Sequence, residues 1–331
     1  MKKKVKVHDL KIGMRVHLPS AWLNHPFLKN RFTITSHDQI QKIIDSGFKE
    51  VIVDVSSSSV LPSYAIRGES SGDREEYFTP PKQWDPEQLI PVELKEAIQD
   101  KKLDPEKKAV IVYQSALKIM TRLLEDPRAE NIHVVKKGIA NIVDLIVSDD
   151  ATSKNLLSIT SHDFYTYTHS VNVGVLSILL SKALFRGSYS HDMHELGSGF
   201  FLHDLGKVRI DQDILNKPAK LSEAEMQEVR KHPFLGYKIL LDAKQLTEEC
   251  RIIVMQHHER EDGTGYPNRL KGKDIHVYGR ICSLADVYDA LTSERPYKQG
   301  LPPFDALKLM KEQMLHHFGQ DLFDKFVLLF A

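Results

Sequence analysis

From about residue 92 onward, apolar residues return every three or four positions. Ile132, Val135, Ile139, Ile142 and Ile146 step by 3, 4, 3 and 4, which lays them down one face of a helix. The segment from Lys107 to Leu124 carries a similar stripe through Val112, Ala116, Ile119 and Leu123. Packing of these helices onto the domain behind them is the favoured reading, with a homodimer formed through them as the alternative. No strand pattern of comparable strength follows residue 110, so this part of the chain is predicted to be all-α. The apolar stretch from Val171 to Phe185 is broken by Asn172, Ser177, Ser181 and Lys182. It falls short of the ~18 clean residues a spanning helix needs and reads as a buried core helix, with no membrane role.

The first 60 residues have a different pattern. Short β-prone runs at Val5 to Val7, Met14 to Leu18, Arg31 to Ile34 and Glu50 to Val55 surround one amphipathic helix. That helix is predicted from Ser36 to Ser46, with Ile40, Ile43 and Ile44 on its apolar side and Gly47 as its stop. Composition then shifts: Ser56 to Ser59 opens a stretch with Pro62, Pro80, Pro81, Pro86 and Pro91 and few large apolar residues, which predicts a flexible linker. The expected organisation is a small α+β domain over 1–60, a linker over 61–91, connecting helices over 92–150 and a helical domain over 151–331.

A length of 331 residues is in keeping with about two domains of ~150 residues. Lysine plus arginine number 45 and aspartate plus glutamate number 45, so there is no basic footprint for long nucleic acids and no acidic tail. The basic start at Met1 to Lys4 precedes no long apolar run, unlike a secretory signal. The two cysteines, Cys250 and Cys282, build no disulfide framework and lack thiolate zinc spacing, so a reducing, cytoplasmic setting is expected. Histidine is the informative residue: of 16, eleven lie between His162 and His317.

The dipeptide His-Asp occurs five times, so it carries little information alone. Only His203-Asp204 follows an apolar helical run, Gly199 to Leu202, and precedes Leu205-Gly206-Lys207. A metal near such a helix end can take an imidazole nitrogen and one carboxylate oxygen, leaving the second oxygen free to bridge another ion. His169, His232, the pair His257-His258 and Asp286 lie in similar apolar, helix-like surroundings, and one bundle can point them inward together. Ligands of nitrogen and oxygen without thiolate suit iron, manganese, cobalt or zinc in pairs. Two such ions share a hydroxide and clamp a phosphoryl group. Lys207 reads equally as a phosphate contact, a proton donor to a leaving group, or a helix-end lysine favoured by the dipole. His191 and His194 read as surface residues and His316-His317 as a helix end. Gly263, Gly265 and Pro267 mark an irregular loop holding Tyr266, and Arg295 with Lys298 place two cations on one rim.

Together, His203-Asp204-Leu205-Gly206-Lys207, His257-His258, Asp262 to Pro267 and the run from Asp286 to Lys298 resemble the HD-GYP subgroup of the HD phosphohydrolases, over roughly residues 155 to 331. The first 60 residues, through Gly13-Met14, Ala21 to Leu23, Pro26-Phe27 and Val51 to Asp54, resemble the small domain of unknown function found ahead of such modules. The resemblance implies a mainly α protein: an all-α HD-type helical bundle carrying catalysis, preceded by a small α+β domain. It implies a metal-dependent phosphodiesterase hydrolysing cyclic di-GMP to linear pGpG and on to GMP. His169, His203, Asp204 and Asp286 would hold one divalent ion, and His232, His257 and His258 the other, with Asp204 bridging. Iron or manganese is the expected metal. Asp204 and Lys207 would be catalytic, Lys207, Gly265, Tyr266, Arg295 and Lys298 would contact substrate, and Asp289 would support the ligands. Some family members have a glutamate four residues before the first histidine, for a third metal; Tyr165 stands there, so two metals are expected. The alternatives are another cyclic dinucleotide as substrate, or a weakly catalytic cyclic di-GMP sensor that docks a partner such as a diguanylate cyclase.

Overall fold

The structure is a computed structural model that describes residues 2–11, 14–18, 31–34, 37–46, 48–54, 83–160, 166–217, 219–293 and 300–330. Gly13, the segments 21–23 and 26–27, Gly47, residues 55–60, Tyr165, Arg295, Lys298 and the 61–82 part of the expected linker lie outside them. The chain divides into two compact units, Met1–Phe78 and Thr79–Ala331.

In the first unit, β1 (Lys2–Lys6), β2 (Arg15–His17), β3 (Arg31–Thr33) and β4 (Glu50–Asp54) form an antiparallel sheet in the order β1-β4-β2-β3. Alternation along the strands sends Val5, Val16, Val51 and Val53 to one face, where all are buried. Helix α1 (His37–Asp45) covers that face with Ile43, and Met14, Leu18 and Ile34 complete the core. Ile44 is 39% exposed, contrary to the apolar face drawn from the sequence. It stands about 100° round the helix from Ile43, too far to share its contacts.

The second unit is helical throughout its described residues: α2 (Val92–Gln99), α3 (Pro105–Glu125), α4 (Ala129–Ser148), α5 (Asp150–Ile159), α6 (Thr166–Leu184), α7 (Met193–Leu202), α8 (Gln212–Leu215), α9 (Glu223–Val229), α10 (His232–Asp242), α11 (Glu248–Gln256), α12 (Val277–Thr292), α13 (Pro303–Leu309), α14 (Leu315–Phe318) and α15 (Gln320–Val327). A π-helical turn, Met310–Met314, joins α13 to α14. The starts follow local chemistry. Asp104 caps α3 by accepting from the Lys107 N–H, Asp192 caps α7, and Ser222 with Glu225 makes a reciprocal capping box at α9.

Helix α6 is buried on every side: Val171, Val173, Val175, Leu176, Ile178 and Leu180 are buried together with the polar Asn172, Ser177 and Ser181, as expected of a helix at the centre of a bundle. The stripes on α3 and α4 join the same core, and Ile132, Val135, Ile139, Ile142 and Ile146 are buried in it. Residues 83–91, which composition assigned to the linker, belong to this unit too. Leu89 is fully buried, and Trp84 donates its indole N–H to Glu125 at 2.9 Å and its backbone N–H to Asp126 at 2.9 Å. Two large apolar side chains outweigh the prolines around them. No helix among the described residues is long and apolar enough to cross a membrane.

Truncating Ile139 to alanine removes a buried side chain from the centre of α4. The expected loss is about 2–5 kcal/mol of stability in the helical unit, read as a lowered urea midpoint by far-UV circular dichroism. A change below ~1 kcal/mol would mean the stripe is not core.

Candidate metal centre

Six elements deliver the histidines and aspartates singled out in the sequence. His169 lies in the first turn of α6, while Asp286 and Asp289 stand one turn apart on α12. Helix α7 ends at Leu202, and a short 3-10 turn, Leu205–Arg209, takes over. His203 and Asp204 therefore occupy the joint between the two rather than a continuous helix. His232 opens α10, and His257-His258 follow the last turn of α11. Gly206 allows the 3-10 turn to lie directly on α10: a β-carbon there would fall 1.9 Å from the His232 carbonyl oxygen and 2.5 Å from the Gly236 nitrogen. Any side chain at Gly206 would drive His232 away from Asp204.

The imidazoles are oriented by their outer nitrogens. His203 Nδ1 donates to the Phe200 carbonyl at 2.8 Å, His232 Nδ1 to that of Val229 at 2.7 Å, and His257 Nδ1 to that of Val254 at 2.9 Å. A carbonyl only accepts, so each Nδ1 carries the hydrogen and each Nε2 presents a lone pair inward. His169 does the same against a carboxylate, donating Nδ1–H to Asp289 Oδ2 at 2.7 Å. That arrangement fixes ring and tautomer and increases ligand basicity.

The inward atoms form two adjoining sets. Asp204, His232, His257 and His258 each bring a ligand atom within 4.8 Å of the others, and so do His169, His203 and Asp286. Asp204 faces both. Its Oδ1 lies 3.2 Å from His232 Nε2 and 3.9 Å from His257 Nε2, while its Oδ2 lies 3.4 Å from His169 Nε2 and 3.5 Å from His203 Nε2. Asp286 also reaches across, with Oδ1 3.1 Å from His169 Nε2 and Oδ2 3.4 Å from His258 Nδ1. His203 Nε2 and Asp204 Oδ1 are buried with no hydrogen-bond partner. Orphaned lone pairs converging on one point are costly without a cation and suited to one. The donor set, imidazole and carboxylate only, fits first-row divalent ions.

Electrostatics separates the two sets. Burial pushes the His232 pKa down to about 3 and that of His258 to about 4, and takes His257 well below its ordinary value. These three rings are neutral, the form that binds metals. Burial also opposes charge on His169, yet hydrogen bonds to Asp204, Asp286 and Asp289 lift its pKa well above the usual range. Burial disfavours ionised Asp204, but Lys207 and His203 beside it hold the carboxyl well below its ordinary value. Asp286 is likewise lowered, against its burial, by His169 and His258.

Around the centre, Lys207 sits half-buried with its ammonium against Asp204 Oδ2. Tyr266 packs at a tilt against His258 with ring centroids 4.6 Å apart, and the Arg230 guanidinium lies 5.7 Å from the Tyr266 ring centroid. Its backbone N–H donates to the His258 carbonyl at 3.1 Å. Gly265 is required by that close return of the chain, since a β-carbon would meet the Arg260 nitrogen at 2.5 Å and the His258 oxygen at 2.6 Å. Arg295 and Lys298 lie outside the described residues.

Sequence reasoning passed over four residues. Buried Glu259 accepts backbone N–H groups from Asn268 at 2.7 Å and Leu270 at 2.9 Å, tying down the exit of the Tyr266 loop. Behind His169, Asn172 donates to Asp289 Oδ1 at 2.7 Å, Tyr113 of α3 donates to Asn172 Oδ1 at 2.7 Å, and Ser293 donates to Asp289 Oδ2 at 3.2 Å. The spacing of His169 and Asn172, one turn apart, was the available signal. Tyr113 carried none, being 59 residues from its partner.

Two outcomes follow. Asn172→Ala frees Asp289 from one of its donors, so metal affinity is expected to fall about 10–100-fold, measured by competition with a chromophoric chelator. A metal entering beside His169 displaces the proton that its raised pKa retains at neutral pH. Affinity of that half therefore rises with pH toward the His169 pKa. The His232, His257 and His258 half changes little above the low pKa values of its rings. Calorimetry in buffers of different ionisation enthalpy should find proton release, and its absence would place the His169 proton elsewhere.

Comparison with known proteins places this geometry. The family model described as HD domain matches residues 154–322, and that described as Domain of unknown function (DUF3391) matches residues 2–136. The cyclic di-GMP phosphodiesterase PA4108 of Pseudomonas aeruginosa is 34% identical over 99% of this chain and 76% of its own length. The 3'3'-cGAMP-specific phosphodiesterase 3 of Vibrio cholerae is 37% identical over 45% of this chain and 32% of that protein. Among solved structures, Bd1817, an HDG"Y"P protein from Bdellovibrio bacteriovorus, superposes with a TM-score of 0.63 at 19% identity over 100% of both chains, a likeness of fold. With these matches and the His203-Asp204 and Gly265-Tyr266-Pro267 motifs intact, the chain belongs to the HD-GYP family of HD-domain proteins.

Proposed function

We propose that this protein is a metal-dependent phosphodiesterase that hydrolyses cyclic di-GMP to linear pGpG, and on to GMP, at a centre for two divalent ions, iron or manganese. The observation that carries the reading is the pair of adjoining donor sets sharing Asp204, each oxygen facing a different set. Ions held there supply Lewis acidity to the scissile phosphate and the attacking water. The side chains do the rest. The buried carboxylates of Asp204 and Asp286 would balance the charge of such ions, and the hydrogen-bonded imidazoles would hold them. Lys207, at the edge of the centre, sits where it can neutralise a phosphate oxygen and protonate the departing ribose oxygen. Tyr266, packed against His258, offers an aromatic face beside the centre, and Gly265 lets the backbone come close. Arg295 and Lys298 would add cations for the second phosphate. The name of the Pseudomonas relative, aligned along nearly the whole chain, supports cyclic di-GMP as substrate.

A second substrate reading rests on the Vibrio relative named as specific for 3'3'-cGAMP, which aligns over 45% of this chain. Manganese- or iron-reconstituted protein should hydrolyse cyclic di-GMP in preference to 3'3'-cGAMP, followed by chromatography of the nucleotides. Asp204→Ala should reduce turnover by more than the ~10–100-fold typical of a supporting residue, since both donor sets lose their shared member. Preference for 3'3'-cGAMP would move the substrate assignment. Tight binding of cyclic di-GMP with no metal-dependent turnover would favour a sensor.

A further inference from the structure

A third group of ligand-bearing side chains lies away from the centre, at the start of the Tyr266 loop. Asp262, His316 and His317 each bring one ligand atom within 4.8 Å of the other two. Asp262 opens the run that leads to Gly265 and Tyr266, while both histidines belong to α14, which directly follows the π-helical turn. The two segments already touch: the Glu261 N–H donates to the His317 carbonyl at 3.3 Å.

The donors of this group are only partly used. Asp262 Oδ1 accepts from the Thr264 N–H at 2.8 Å and the Thr264 hydroxyl at 2.7 Å, while Oδ2 lies 3.7 Å from His316 Nε2. Glu261 is committed elsewhere, to Arg280 at 2.7 Å. His317 is only 9% exposed, and its Nδ1 is buried with no hydrogen-bond partner. A buried ring nitrogen without a partner, on a residue that also stands at ligand spacing from a carboxylate and a second imidazole, is the kind of unsatisfied polar group a cation can satisfy. Metal–ligand bonds of ~2.1 Å in a tetrahedron set neighbouring ligand atoms ~3.4 Å apart, close to the separation of Asp262 and His316. Both of those side chains are exposed and free to close the remainder by rotation. Adjacent residues on a regular helix diverge by ~100°, yet here the two imidazoles stand 4.3 Å apart between centroids.

We propose that Asp262, His316 and His317 form a zinc site, separate from the central donor sets, that clamps α14 to the loop carrying Gly265 and Tyr266. Two imidazoles and a carboxylate are a three-ligand zinc set, with water in the fourth position. The site does not depend on what the central sets hydrolyse. Its occupancy sets how firmly the loop beside the central sets is held.

Zinc content of the full-length chain, after equilibrium dialysis against micromolar zinc, tests it. Asp262→Asn and His316→Gln are both exposed substitutions unlike a core truncation, and circular dichroism verifies their folding. Each should hold one zinc fewer per chain than the natural sequence and show a smaller zinc-induced rise in melting temperature. Asp204→Ala, which damages only the central sets, should keep the outer ion. Equal zinc content in the natural chain and both outer variants would overturn the proposal, as would loss of that ion in Asp204→Ala.

Discussion

The carboxylate of Asp204 sets the terms for the helical unit. It is buried among four imidazoles, and its two oxygens face different donor sets. An ionised group in that position needs compensating charge nearby, because burial alone would force it neutral. Lys207 and His169 provide some of it in the structure. The surrounding architecture follows from bringing enough donors to that one side chain. The bare backbone at Gly206 admits α10 and His232, α6 contributes His169, α11 ends where His257 can turn inward, and α12 presents Asp286.

Rigidity at this point comes from the helices that deliver the ligands. Helices α6 and α7 pack their apolar side chains into the core, which holds their backbones in place. His203 and His257 are then held at their outer nitrogens by carbonyls of the helices they follow, His232 by the Val229 carbonyl at the end of α9, and His169 by Asp289. Preorganisation of this kind lets donors wait at ligand spacing without collapsing onto one another, although His232 and His257 come within 3.1 Å through their Nε2 atoms. Two lone pairs that close, both on neutral rings, make sense only around something positive.

Much of this was legible in the residues. Short β-prone runs located the four strands, and the stripe from Ile132 to Ile146 placed α4 in the core. The seven ligand candidates stood out because each lay in an apolar, helix-like neighbourhood, where an unpaired polar group is costly. What escaped were contacts that depend on chain crossing. Glu259 lies in the charged run His257 to Asp262, and only the fold shows that it receives two backbone N–H groups. Composition misjudged residues 83–91 for a related reason: the prolines were visible, but the pocket filled by Trp84 and Leu89 is made by other helices. Net charge was also the wrong scale. A chain with 45 residues of each sign still gathers Lys207 and seven histidine and aspartate side chains at one point, a local arrangement that net charge does not register.

Tyr113 shows how the parts of the chain combine. The family model of unknown function ends at residue 136 and the HD model begins at residue 154, so Tyr113 falls outside the HD match. Yet its hydroxyl reaches Asn172, Asn172 reaches Asp289, and Asp289 orients His169. All four groups are buried, so none can exchange its partner for water when the others shift. Displacement of α3 would therefore be felt as a rotation or a changed proton affinity at His169, the ligand whose charge state is set most directly by its carboxylate neighbours. Helix α3, which looks like a connector in the sequence, is tied through Tyr113 to the candidate metal centre, and a break in family matching along the chain is not a break in the hydrogen-bonded network.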